Sequence, residues 1–259
     1  MTLLLEVQDL SVTYGSFKAL NGASLRVEKG EIHGLIGPNG SGKTTMLNVV
    51  CGFARARAGS IAFADARIER LPVHRRAAMG LGRTFQGIAV FSELSVMENV
   101  LVGLHLRDSQ SFFRSCIPFL GQAAELENQQ RALAALKWAG LEGSTAVPAG
   151  TLSFGGQRML DLARAMVATP SLLLLDEPAA GLNPNEVAQL AAIVREFRAR
   201  GSTVVVVEHH LKFVMGLCDR ITVLNFGQTI AADTPDKVQK NPAVIEAYLG
   251  PDHVSIDAH

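Results

Sequence analysis

Little in this sequence could cross-link it, carry it through a bilayer or let it coat a polyanion. Cysteine is scarce: Cys51, Cys116 and Cys218 are all that 259 residues hold, too few and too scattered for a disulfide framework or a zinc site. The chain therefore reads as cytosolic, with reduced thiols. Long hydrophobic runs are missing. The longest clear ones, Leu172–Leu175 and Val204–Val207, are strand-sized and each ends in an acid; a membrane helix needs roughly 20 apolar residues. Met1-Thr2-Leu3-Leu4-Leu5-Glu6 has no basic region and meets an acid too soon for a signal peptide. Net charge is missing too. Basic and acidic residues number 24 each, which argues against a protein that lives on nucleic acid. There is no internal repeat, low-complexity tract or heptad run.

What the chain does have is apolar mass. Hydrophobic residues make up 48% and charged residues 19% of it, a composition that excludes a disordered chain. Its length allows one large domain or two small ones, with a core that needs no staples. Leu5–Leu10, Ala23–Val27 and Ile32–Ile36 read as strands, and Lys43–Val50 as a helix. Leu94–Leu104 and Gln122–Ala139 carry apolar residues at helical spacing. After Pro170, strand and helix alternate: Leu172–Leu175, the helix Glu186–Arg200, then Thr203–Val207. Ile221–Leu224 and Thr229–Ala231 flank a turn at Asn225-Phe226-Gly227. Thr234-Pro235 and Asn241-Pro242 each announce a short helix. The pattern is an α/β core with a helical insertion. Its expected divisions are 1–89 (an N-terminal β region and the first part of the core), 90–168 (the helical subdomain), 169–233 (the rest of the core) and 234–259 (a short helical tail).

Gly37-Pro38-Asn39-Gly40-Ser41-Gly42-Lys43-Thr44 fits G-x-x-x-x-G-K-[ST], with a strand before it and a helix after it. Glycines let the backbone curl so that successive N–H groups face phosphate oxygens. The helix start adds its positive dipole end. Lys43 is expected to reach the β and γ phosphates, and the Thr44 hydroxyl to complete a Mg²⁺ shell, with Thr45 beside it. Leu172–Leu175 delivers Asp176 and Glu177 to the carboxyl edge of the sheet, where α/β folds bind ligands. Asp176 is expected to orient Mg²⁺ and Glu177 to act as the general base on water.

Leu152-Ser153-Phe154-Gly155-Gly156-Gln157, followed by Leu162-Ala163-Arg164-Ala165, resembles the L-S-G-G-Q signature of ATP-binding-cassette (ABC) ATPases. Phe154 stands at the first glycine position, Gly156 at the glutamine position, and Met159 where an arginine is common. The resemblance implies a P-loop NTPase fold: a RecA-like α/β core plus an N-terminal antiparallel β region, with a helical subdomain. It implies ATP and Mg²⁺ as ligands, Tyr14 stacked on adenine, and Gln86 as the Q-loop glutamine that senses Mg²⁺ and couples to a membrane partner. His209 falls at the switch histidine, which contacts the γ-phosphate; His210 follows where an aspartate is frequent. Ala179 to Pro184 stands at the D-loop, with Asn183 in place of the more usual aspartate. Two cassettes would close head to tail, Ser153 and Gly155 of one facing the phosphate loop of the other.

Within that family, Asp176 to Pro184, Glu208-His209, Leu211–Met215, Cys218-Asp219-Arg220 and the ending Asn241–Gly250 resemble the ATPase subunits of branched-chain amino acid importers. His105–Leu120 resembles an insertion of the longer of their two ATPases. Membership implies a second cassette (identical or different), two membrane permeases, an external solute-binding protein and a peripheral seat on the cytoplasmic face of the inner membrane. Urea or amide importers, lipopolysaccharide exporters and soluble ABC ATPases are the alternatives. Ile88, Ala89, Val90 and Phe91 either line a groove for a permease helix or belong to the core. Phe112, Phe113 and Phe119 read as local packing rather than a partner contact.

Overall fold

The computed structural model describes residues 2–85, 87–105 and 118–249, without the side chains of 105 and 118–124. Among the described residues, two sheets form. An antiparallel one has the order β2-β1-β4-β5, from β1 (Leu3–Tyr14), β2 (Phe17–Glu28), β4 (Ala58–Phe63) and β5 (Ala66–Arg67). The second has the order β10-β9-β3-β8-β7-β6. Its members are β3 (Ile32–Ile36), β6 (Leu81–Arg83), β7 (Leu172–Asp176), β8 (Thr203–Val207), β9 (Arg220–Asn225) and β10 (Gln228–Asp233). All its pairings are parallel except β9 with β10.

Every residue of β3, β7 and β8 is buried, the pattern of parallel strands covered on both faces. Side chains alternate between the two faces. Leu172, Leu174, Val205, Val207 and Leu35 point into a core shared with the antiparallel sheet and α1 (Lys43–Cys51). Leu173, Leu175, Val204, Val206 and Ile36 point the other way. There they meet α3 (Val96–His105), α4 (Pro118–Trp138), α5 (Phe154–Met166) and α6 (Pro184–Ala199). The remaining helices are α2 (Val73–Ala78), α7 (Leu211–Leu217), α8 (Pro235–Gln239) and α9 (Pro242–Leu249). His33 is tolerated inside β3 because both ring nitrogens have partners, Glu31 Oε1 at 2.9 Å and Thr222 Oγ1 at 2.8 Å.

The expected strands and helices are present, with adjustments. β1 and β2 are longer than their alternation suggests, because bulges between Val7 and Val12 shift the register and break the period of two. Of the two announced tail helices, Asn241 caps the second through Oδ1, which accepts Ala243 N–H at 2.9 Å. Thr234 starts the first without a side-chain cap bond, and Asp233 Oδ1 accepts the Thr234 N–H instead. The β4–β5 hairpin and α2 carry no marked periodicity and are additions. Residues 106–117 and 250–259, with the Phe112 and Phe113 expectations and Cys116, lie outside the described residues, as does the side chain of Phe119.

Candidate functional site at the carboxyl edge of the parallel sheet

Register brings the site together. Leu35 of β3 and Asp176 of β7 both lie level with Val207 of β8. The chain therefore leaves three adjacent strands at one height, into the loop 37–42, into Glu177 and into Glu208-His209. Gly37, Gly40 and Gly42 have φ of 151°, 78° and 105°. A Cβ on Gly37 would lie 2.0 Å from the Leu224 carbonyl oxygen, and one on Gly42 2.6 Å from that of Ala19, so both positions demand glycine. Gly42 hands the chain directly into α1, whose first turn contains Lys43, Thr44 and Thr45.

Lys43 Nζ donates to the Gly37 and Pro38 carbonyls at 2.7 and 3.0 Å. Burial holds its pKa below the usual lysine range, while Glu177 and Asp176 act in the opposite sense. Ser41 is buried with its Oγ unpartnered, while Asn39 and Gly40 on the same loop and Thr44 in the first turn of α1 are exposed.

Asp176 is 1% exposed. Its Oδ2 accepts Arg83 Nη2 at 2.9 Å, and Arg83 Nη1 reaches Asn48 Oδ1 at 2.7 Å. Its Oδ1 is buried with no hydrogen-bond partner. An orphaned carboxylate oxygen on a residue within electrostatic reach of Lys43, the first residue of α1, suits a hard cation with oxygen ligands, so the residues present fit Mg²⁺. Burial raises the Asp176 pKa, and the Arg83 hydrogen bond and charge oppose that shift. Glu177 has a left-handed backbone, φ 48°, rare for a residue with a side chain. Its Oε1 lies 3.8 Å from His209 Nδ1.

Tyr14 ends β1 opposite Phe17 and is half exposed. Ser153 caps α5, its Oγ accepting the Gly156 N–H at 3.1 Å. A Cβ on Gly155 would collide with Glu186, and one on Gly181 with the Phe154 ring, so the 153–155 turn packs against the 179–183 loop and the first turn of α6. Gln86 lies outside the described residues. Sequence reasoning missed Arg83 as the Asp176 partner. Only its place three residues before Gln86 pointed to it.

An apolar groove of about 450 Å³ opens between the core and the helical subdomain, lined by Phe53, Val73, Phe85, Ala89, Phe91 and Val102 among others. Ala89 and Phe91 of the expected cluster line it, whereas Val90 packs against the core. Arg83 lies 5.7 and 5.2 Å from the Phe53 and Phe85 ring centres, and Arg164 lies 5.6 Å from that of Phe91.

The sequence profile of the ABC transporter family matches residues 20–180, and that of the branched-chain amino acid ATP-binding cassette transporter C-terminus matches residues 228–253. The chain belongs to the ABC transporter family. It is an ABC-type ATPase, 41% identical over 249 residues to the high-affinity branched-chain amino acid transport ATP-binding protein LivG of Salmonella typhimurium, covering 95% of this chain and 98% of that one. Its identity to BraF of Pseudomonas aeruginosa, named for the same transport, is 39% with the same coverage. Among solved structures, an ABC transporter cassette in its ADP conformation superposes with a TM-score of 0.83 at 30% identity, covering 96% of this chain and 100% of that one. The expected RecA-like fold with its N-terminal β region and helical subdomain is borne out.

Proposed function

We propose that this chain is the ATP-binding and ATP-hydrolysing subunit of an importer of branched-chain amino acids, seated peripherally on the cytoplasmic face of the inner membrane. One observation carries the chemistry: a phosphate loop, a buried aspartate, a glutamate and a histidine converge at the ends of three adjacent parallel strands. The C-terminal match and the kinship to LivG and BraF support the solute class. Among the described residues no helix is long and apolar enough to cross a membrane, so passage of the solute is assigned to partner permeases.

Backbone N–H groups from Gly37 to Thr45 would wrap the phosphates, and Tyr14 would stack on adenine. Lys43 would exchange its two loop carbonyls for the β and γ phosphates. Thr44, Gln86 and Asp176 would hold Mg²⁺, which supplies positive charge to the phosphate oxygens. Glu177 would take a proton from the attacking water, with His209 against the γ-phosphate. Ser153 and Gly155 sit at a helix start, where N–H groups favour anions. In our reading they serve the triphosphate of a second cassette, identical or different, so ATP closes the pair and hydrolysis reopens it. Two permeases would seat a cytoplasmic helix in the groove at Phe91, and an external binding protein would deliver the solute.

Glu177→Gln keeps the shape of the side chain but removes the base. ATP hydrolysis should fall at least about 10²-fold with ATP binding retained; unchanged hydrolysis would reject the assigned base. A strain lacking this gene should lose leucine uptake and regain it with the intact chain. Normal leucine uptake alongside lost urea uptake would reassign the solute.

A further inference from the structure

β8 is five buried apolar or hydroxyl residues, Thr203 to Val207, and the next residue is an acid. Glu208 is 0% exposed. A carboxylate in that position is costly unless its oxygens are hydrogen-bonded. Oε1 accepts the Ala179 N–H at 2.8 Å. Oε2 accepts the His209 N–H at 3.2 Å and lies 3.5 Å from the His210 nitrogen. Ala179 belongs to the loop that begins at Glu177, and His209 begins the loop after β8. A main-chain bond already joins the two, Glu177 N–H to Val207 C=O at 2.9 Å. The carboxylate adds a second tie beyond it. Between the ties, His209 Nδ1 stands 3.8 Å from Glu177 Oε1 and 3.9 Å from Glu208 Oε2.

We propose that Glu208 is a positioning residue that sets His209 against Glu177 by gripping both loops at once. The inference rests on the reading of Glu177 and His209 as the hydrolytic pair. A carboxylate suits the task because both of its oxygens only accept. An amide of the same shape would turn an N–H against either the Ala179 or the His209 N–H, releasing one loop.

Glu208→Gln in the full chain is therefore expected to lower kcat by about tenfold or more, with KM for ATP and nucleotide affinity within about twofold. A residue that merely stabilised the fold would move both together, and that result would overturn the proposal. In a His209→Ala background, Glu208→Gln should cost less than about twofold further, because it acts through the residue already removed. An undiminished further loss would overturn it. If His209→Ala alone leaves turnover intact, the reading of His209 falls instead, and amide exchange decides the latch. Protection lost at Ala179 and His209 together in Glu208→Gln supports it, and protection retained at both overturns it. The unmodified chain offers a test that needs no variant to fold: the two amides should open at one common rate, and separate rates would overturn the latch.

Discussion

At Cys51 the same burial that packs α1 also silences a thiol. The side chain is buried at the end of that helix, and desolvation pushes its pKa up to about 11, against the opposing charge of Arg83. Cys218 is buried as well and pushed up further. Alkylation at pH 8 should therefore leave both unmodified in the folded chain and reach both after denaturation, as peptide mass spectrometry would show. Rapid native labelling at Cys51 would contradict the packing described for α1. At this scale legibility depends on distance along the chain. The phosphate loop was readable because its residues are contiguous. Arg83 serves Asp176 from 93 positions away, and Glu208 serves Ala179 from 29. Apart from the place of Arg83 three residues before Gln86, nothing in the sequence separates these two from an ordinary surface arginine or strand-end acid.

Among the elements, α1 would present its N-terminus to phosphate in the proposed function, and its other end is anchored. The anchor is Arg76 in α2, 3% exposed, whose Nη1 donates to the Val49 and Val50 carbonyls at 2.6 and 2.7 Å. Its Nε adds Leu71 O at 2.8 Å, and the side chain closes over the left-handed Gly52 that ends the helix. A cation at a helix C-terminus is favoured by the dipole as well as by the hydrogen bonds. Arg76→Ala should destabilise the chain by about 3 kcal/mol, since it takes a charged donor from the Val50 carbonyl and leaves the Val49 carbonyl with the Gly52 N–H alone. Denaturant unfolding measures this, and a loss within about 0.5 kcal/mol, the range of ordinary surface changes, would refute the anchor. Sequence reasoning found α1 and missed α2, a helix of six residues whose purpose lies in one long-range contact. It found β1 and β2 but undersized them, because bulges hide their periodicity. The helical insertion was legible as a class through α3 and α4, and one stretch of the groove wall was legible at Ala89 and Phe91; the rest of the wall, from Phe53 and Val73 to Val102, was not, since those residues are far apart in the chain.

Across the whole molecule, Arg83 belongs to two places at once. It stacks beside groove aromatics and holds the carboxylate of Asp176. Arg164, on the other wall, lies beside Phe91 and is paired with Asp161 of α5. A segment seated in the groove would touch Arg83, the side chain that braces Asp176. Phe91 is half exposed there. Phe91→Asp should therefore abolish solute uptake in cells while the purified chain keeps its ATP affinity within about twofold, the loss being one of partner binding rather than of fold. Lost ATP binding or unfolding in that variant would place Phe91 in the core instead. In the proposed function one chain holds only half of each working site, the phosphate loop with Glu177, and borrows the Ser153 turn from a neighbour. The most direct test is the hydrolysis rate of the purified chain measured against the concentration of its second cassette, the chain itself where the two are identical, with the solution mass followed in parallel. The rate per molecule should rise steeply with that concentration as pairs form, and the Glu177→Gln variant should take on the mass of a second cassette only when ATP is present. A rate per molecule that stays flat, at full activity, on a particle that keeps the mass of one chain would contradict it.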